Sequence, residues 1–306
     1  GGPAGLVIKN GYIVAQWGDL QRVDMTFSAT KSYLSTMAGL AVDSGLIKSV
    51  TDKVGTYVWD GSFDGAHNSK VTWEHLLNQS SDWSGTLFGL HDWADRPPKT
   101  GGIDDWKNRK LNEPGTVYEY NDVRVNLLAY SLLQVWRKPL PMLLKEKIMD
   151  PIGASTTWRW FGYDNSFVNV DGLMMQSVSG GGHHGGGIFI NTLDQARFGL
   201  LFLNDGMFNG DRILPEGWSE YSSTPCEGAD MGQYGAQFWL NAGSKTDVVK
   251  RMYPDVPVDL FWADGYEGQN VFILPSKDLV VVKLSQSSGN YLDDNKFLAD
   301  IIKALP

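Results

Sequence analysis

Ser28 stands three residues before Lys31 in the segment MTFSATKSYLSTMAG, residues 25–39. Residues three apart on a helix share a face, so the hydroxyl and the amine can touch. Two chemistries fit that spacing: a serine cap beside a solvated lysine, or a nucleophile beside its own base. At the first turn of a helix the positive end of the dipole favours a developing alkoxide. The same field, with desolvation, lowers the pKa of a lysine and lets it accept the serine proton. Tyr120, in EPGTVYEYNDVRVNLLAYSLL (113–133), is a second candidate. A tyrosine at a helix entrance close to an ammonium can be held as phenolate and act as general base. A third is Gly265 in ADGYEGQNVFILP (263–275). A glycine at a strand start lets a substrate backbone approach closely, and an N–H there, with that of Ser28, could form an oxyanion hole.

These residues are far apart in the chain, so the fold must gather them. AGLVIKNGYIVAQWG (4–18) predicts two short strands turning at Asn10-Gly11. Residues 28–44 predict a helix, with Leu34, Met37, Ala38 and Ala41 at helical spacing and Gly45 as its stop. The stretch 51–175 reads as mostly helical and loop-like, including VTWEHLLNQ (71–79) and VRVNLLAYSLLQVW (123–136). A glycine-dense turn, SGGGHHGGGIFI (179–190), runs into a strand. TLDQARFGLLFLNDG (192–206) then predicts a helix with Asp194 in its first turn. QNVFILP (269–275) and DLVVVKLS (278–285) predict a hairpin, and a helix over 291–304 closes the chain. The expected fold class is α/β (α+β): one antiparallel sheet built from both termini, flanked by helices, with an inserted mainly helical lobe. The expected division is 1–50 and 180–306 for the sheet domain and 51–179 for the lobe, with a cleft between them.

Composition narrows the function classes. At 306 residues and 42% hydrophobic the chain can bury a large core. A net charge of −9 argues against nucleic-acid or anionic-membrane partners, and KNRK (107–110), the densest basic run, reads as a solvated loop. A single cysteine, Cys226, excludes an internal disulfide framework and fits either cytoplasm or periplasm. No apolar run approaches a membrane span, and no signal peptide is visible. The 12 tryptophans read mainly as core packing. His183-His184 would point to opposite faces of a strand and lack a third ligand at recognisable spacing, so no metal is expected. No cofactor is expected either, since no phosphate-binding glycine loop of the required form is present. Asp194 and Arg197 read as a local helical ion pair, and Asn78-Gln79-Ser80 as loop chemistry.

Taken in order, FSATKS, EPGTVYEYND, GGGHHGGGIFINTLDQARFGLLFL and GYEGQNVFILPSKDLVVVKLS resemble the serine β-lactamase and penicillin-binding superfamily. The nearest branch is the class C β-lactamase-like serine hydrolases, which include esterases, D-amino-peptidases and 6-aminohexanoate-dimer hydrolases. The similarity spans about residues 5–305. It implies that Ser28 is the acylated nucleophile, Lys31 its partner, and Tyr120 the tyrosine of the Y-x-N motif. Ala263-Asp264-Gly265 lies where the family carries K-T-G or H-x-G, so the oxyanion hole would be the N–H groups of Ser28 and Tyr266. Trp83, in SSDWSG, matches a family segment near the cleft, and core packing fits it equally well. The upstream helix usual in this fold is missing, which fits a trimmed N-terminus.

Two departures matter. Asp122 replaces the Y-x-N asparagine, and Ala263, beside Asp264, replaces the cation of the third motif. With Asp122, Asp264, Gly265 and Trp83 lining the substrate site, a carboxylate-bearing ligand would meet repulsion. Asp122 would also hold Lys31 as ammonium, which favours Tyr120 as base and Lys31 as electrostatic support. The expected function is a serine hydrolase of small esters or amides that handles β-lactams poorly, acting as a monomer or weak homodimer. The alternative is a ligand-binding or sensing domain on the same fold with little turnover.

Overall fold

The computed structural model describes residues 2–95, 101–182, 186–243, 250–285 and 292–305. The N-terminal hairpin forms as its turn demands: Ala4–Lys9 pairs antiparallel with Tyr12–Trp17, and Asn10 and Gly11 both take left-handed φ values, 51° and 78°. A two-residue turn needs both to match the strand twist. At the other end Gln269–Leu274 pairs with Leu279–Leu284 across the short turn Pro275–Lys277. The two hairpins join where Ala4–Lys9 runs antiparallel to Leu279–Leu284. Phe261–Gly265 and Trp239–Leu240 complete a six-stranded sheet. The sheet is therefore built from both ends of the chain.

Every residue of Gln269–Leu274 and Leu279–Leu284 is buried, because both faces of the sheet are covered. Phe261, Val271, Ile273, Val280 and Val282 face the large core shared with helices Thr30–Asp43 and Thr192–Leu203. Trp262, Phe272 and Val281 face the opposite way, toward Leu298 of the C-terminal helix Asp294–Ala304. The helix Asp122–Trp136 packs against Thr30–Asp43 and against the short helix Trp73–Leu77. Residues Asp122 to Leu133 of that helix are all buried, so it runs through the interior of its layer.

The expectation of a mostly helical and loop-like middle left out its strands, above all one long hairpin. Arg159–Val170 and Leu173–Val178 form a long hairpin, joined by Gly187–Ile190 and Asp24–Met25 into a four-stranded sheet. Its register shifts between Gly162 and Phe167, which breaks the two-residue alternation by which a strand is recognised. Its turn, Asp171-Gly172, adopts φ 54° and 83°, the same left-handed pair as Asn10-Gly11. This second sheet matters for the site. Thr26, two residues before Ser28, uses both its N–H (2.9 Å) and its hydroxyl (3.0 Å) to bond the Ile188 carbonyl. That pairing fixes the approach to Ser28 against the strand that follows the glycine run.

Candidate active site

Ser28 occupies a single 3-10 turn, Phe27–Ala29, immediately ahead of Thr30–Asp43. Phe27 has φ 48°, a left-handed conformation that costs a non-glycine residue on the order of 1–3 kcal/mol. The pairing of Thr26 on one side and the buried helix on the other hold the turn in place. It leaves Ser28 half-buried while the residues from Thr30 to Ala41 are sealed.

Lys31 is directed back at that serine. Its Nζ donates to Ser28 Oγ at 2.9 Å and to the Gly180 carbonyl at 3.2 Å. It forms an ion pair with Asp122 Oδ1 at 2.6 Å, and it lies 4.9 Å from the centroid of the Tyr120 ring. The Lys31 and Asp122 side chains are 3% and 2% exposed. Burial by itself pulls the ammonium pKa down, but the Asp122 carboxylate and the hydrogen-bonded Tyr120 oxygen outweigh it, and the pKa ends above its ordinary value. Lys31 is a cation in this site, and the lowered lysine pKa that the Ser-x-x-Lys spacing allowed does not occur.

The start of Asp122–Trp136 sets the other side. Asn121 caps this helix by accepting the Arg124 N–H at 3.0 Å, which leaves Asp122 in the first turn, where a carboxylate is favoured. The cap is itself held: its N–H donates to Gln79 Oε1 at 2.7 Å and its side-chain amide to the Asp92 carbonyl at 2.9 Å. Gln79 in turn donates to the Tyr234 hydroxyl at 2.7 Å. Tyr120 stacks on Trp239 (centroids 5.8 Å, 27° between planes) and meets Tyr234 edge-on at 6.3 Å. An aromatic wall thus backs the tyrosine.

The glycine run closes the back. A Cβ at Gly181 would fall on the Phe27 carbonyl, and one at Gly182 on the Asp122 carboxyl carbon. The backbone of these residues therefore lies directly against the serine turn and the acid. His183 and His184 fall outside the described residues. Among the described residues no group of His, Cys, Asp and Glu is placed to hold a metal, and no helix is long and apolar enough to cross a membrane.

Gly265 ends its strand rather than starting one, and a Cβ there would strike the Thr26 carbonyl. Its lack of a side chain serves a close approach within the protein. The next residue, Tyr266, is exposed, with its ring edge-on to Phe27 at 5.6 Å. The Gly265–Tyr266 backbone is thereby brought beside the serine turn.

Three expected substrate contacts are placed elsewhere. Asp122 is spent on Lys31 and is buried. Asp264 follows Ala263 along the strand and so points to the opposite sheet face, where Asn270 donates to it at 2.6 Å. Burial pushes its pKa up to about 6, with Asp294 adding to the rise and Asn270, Trp262 and Lys283 pulling against it. Trp83 is 3% exposed, donates its indole N–H to the Ser62 carbonyl at 2.7 Å, and belongs to the core.

The Trp83 carbonyl instead accepts from Arg124 Nε at 2.9 Å, which introduces a network that sequence reasoning missed. Arg124 is 2% exposed and pairs with Asp82 at 2.7 Å, Asp92 at 3.0 Å and Glu119 at 3.0 Å. Arg109 joins it through Asp82 and Glu119, so KNRK is not simply a solvated loop. Burial pushes the Asp82 carboxyl up, yet the two arginines and the Asn112 N–H hold it below its ordinary value. The signal was present as a single charge inside the apolar face of VRVNLLAY. Asp194 likewise does more than pair with Arg197 at 3.2 Å; it accepts from the Ser155 N–H at 2.9 Å and from Asn191 at 3.0 Å.

A serine, a buried lysine and a tyrosine gathered beside a sheet edge agree with the family match. The family model described as Beta-lactamase matches residues 7–303, and the chain belongs to that family, a family of β-lactamase-fold hydrolases. It is 24% identical over 280 residues to the 6-aminohexanoate-dimer hydrolase of Paenarthrobacter ureafaciens, covering 85% of this chain and 65% of that protein. The chain thus matches less than two thirds of that relative's length. Among solved structures, a family VIII carboxylesterase superposes with a TM-score of 0.68 at 19% identity, covering 99% of this chain and 92% of the other. A beta-lactamase from Mycobacterium bovis gives 0.66 at 19% identity, covering 99% and 94%. At these identities the likeness establishes the shared fold.

Proposed function

We propose that the chain is a serine hydrolase that forms an acyl-enzyme at Ser28 and cleaves small esters or amides. The observation that carries this reading is the Lys31 ammonium, sealed from solvent and shared between Ser28 Oγ at 2.9 Å and Asp122 at 2.6 Å. A helix cap beside a surface lysine would need neither the burial nor the partner acid. Tyr120 is the proposed base. Its oxygen takes the Ser28 proton as Oγ attacks the carbonyl carbon, and returns it to the leaving alcohol or amine when the tetrahedral intermediate collapses. Water, activated by the same tyrosine, then releases the acid. Lys31, fixed as a cation, supports negative charge on that oxygen. The N–H groups of Ser28 and Tyr266 are the proposed oxyanion hole. The catalytic cleft would lie between a unit of residues 1–50 and 180–306 and a lobe of 51–179.

The substrate preference rests on charge. Lys31 is already neutralised by Asp122, and Ala263 stands where the family carries a cation, so a carboxylate-bearing ligand gains no salt bridge here. With Asp264 on the far face, it is this missing partner rather than repulsion that disfavours β-lactams. Uncharged or cationic esters and amides fit, including the linear amides suggested by the relative named a 6-aminohexanoate-dimer hydrolase.

The test is pre-steady-state hydrolysis of p-nitrophenyl acetate and butyrate. A burst of nitrophenolate and a matching mass increase, both absent in Ser28→Ala, are expected. No burst and no adduct would instead favour a binding domain on this fold. Efficient turnover of a cephalosporin would overturn the charge argument.

A further inference from the structure

Lys31 has one ligand that belongs to no catalytic group: the Gly180 carbonyl. Glycine backbone is the least constrained in the chain, so a carbonyl in a run of three glycines keeps its direction only if something else fixes it. The fixing groups are visible. Asn126, 4% exposed, accepts the Gly180 N–H at 2.9 Å through Oδ1. Its Nδ2 donates to the Tyr163 hydroxyl at 3.1 Å, and that hydroxyl donates to the Gly182 carbonyl at 3.0 Å.

The direction of every bond in this chain follows from its ends. The Gly180 N–H can only donate, so Oδ1 of Asn126 must face it. Nδ2 then faces Tyr163, whose oxygen accepts and whose proton is left for the Gly182 carbonyl. Asn126 lies four residues after Asp122, on the same face of the helix Asp122–Trp136. One helix face therefore supplies both the acid that pairs with Lys31 and the amide that holds the strap. Tyr163 stands where the long hairpin shifts register, between Gly162 and Phe167. Irregularities of that kind re-aim side chains out of the regular alternation. Burial raises the Tyr163 pKa, which keeps the proton that the chain of bonds requires.

We propose that Asn126 and Tyr163 form a clasp that holds Gly180–Gly182 in place, and that through the Gly180 carbonyl they are positioning residues for Lys31. The inference rests on the serine-hydrolase reading above and assigns a task to two residues outside the Ser28–Lys31–Tyr120 group. A clasp acts as one unit: opening it at either end releases the same strap.

The experiment compares the parent protein with Asn126→Leu, Tyr163→Phe and the double variant on p-nitrophenyl butyrate, recording burst rate, kcat, KM and Tm. A displaced catalytic group costs rate rather than binding, so kcat is expected to fall roughly tenfold or more in each single variant, with KM changed less than about threefold. The double variant is expected to be no slower than Asn126→Leu alone, since coupled residues do not add. Tyr163→Phe removes one oxygen and decides the matter should Asn126→Leu not fold. A lower Tm with unchanged kcat overturns the clasp and leaves a structural role. Fully additive losses overturn it as a single unit. A parent protein with no turnover and no covalent adduct overturns the serine-hydrolase reading and the clasp with it, whereas a normal parent whose burst rate and kcat are unchanged in both variants overturns the clasp alone.

Discussion

The Lys31 ammonium and the Asp122 carboxylate meet at 2.6 Å in a place that water does not reach, both side chains being 3% exposed or less. Removing one partner of a buried pair leaves the other unpaired, at a cost of about 3–5 kcal/mol. Asp122→Asn, which supplies the usual asparagine of the motif, is expected to lose stability on that order. In the parent the raised lysine pKa makes the pair's contribution complete below the ordinary lysine range, so it is present at every working pH. In the variant burial lowers the lysine pKa, the folded state binds fewer protons than the unfolded one, and the deficit shrinks as pH rises. Urea denaturation at pH 6 and pH 9 measures both. The rate should also acquire a new alkaline fall as Lys31 loses its charge. A rate that climbs with pH would make neutral Lys31 the base.

The assignment of Tyr120 has its own test. General-base assistance contributes about 10²–10⁴-fold, so Tyr120→Phe should slow acylation by that range while leaving Tm nearly unchanged. Lys31→Met should be slow and also unstable, because Asp122 is left buried without its cation. Adding Asp122→Leu to Lys31→Met should recover most of the stability and none of the activity. Recovery of turnover in that double variant would remove Lys31 from the mechanism.

Asp264 faces away from Ser28, and its carboxyl pKa of about 6 lies some two units above the ordinary 3.8. A raised carboxyl pKa means stability that is complete below about pH 4 and lost as pH rises through 6. Asp264→Asn removes that loss. It should match the parent in thermal melts at pH 4 and exceed it at pH 8, by up to about 3 kcal/mol. Ester hydrolysis should be unaffected; a large fall in kcat would return Asp264 to the substrate site.

Arg124 anchors Asp82, Asp92 and Glu119 beneath the segment that carries Asn121. Arg124→Met should cost about 3–5 kcal/mol by urea denaturation. Arg124→Lys should recover less than half of it, since an ammonium cannot reproduce the forked contacts of a guanidinium.

What could be foreseen divides along physical lines. Asn10-Gly11 and the apolar spacing of Leu34, Met37, Ala38 and Ala41 are local signals, and the hairpin and helix they predict formed. Ser28, Lys31 and Tyr120 were selected by motif, and the fold brings them together. The faces of a short strand were harder. The motif match at Gly265 suggests a cleft position for its neighbour Asp264, yet alternation sends adjacent side chains to opposite sides. Arg124, Asn126 and Tyr163 act through partners distant in the chain, and their roles depend on contacts that spacing does not encode. Trp83 fitted both a cleft position and core packing, and its burial at 3% exposure places it in the core.

The glycine strap also sets where this scaffold can vary. At Gly181 and Gly182 the space for a side chain is taken by Phe27 and Asp122, and at Gly180 by Val125. That wall offers selection nothing to change. Adaptation to a new substrate must therefore come from elsewhere around the site; at Tyr118, Tyr234 and Trp239 it would trade against rate, because Tyr234 and Trp239 also hold Tyr120. Libraries built on those aromatic positions should yield altered preferences, while libraries across residues 180–182 should return only the parent glycines.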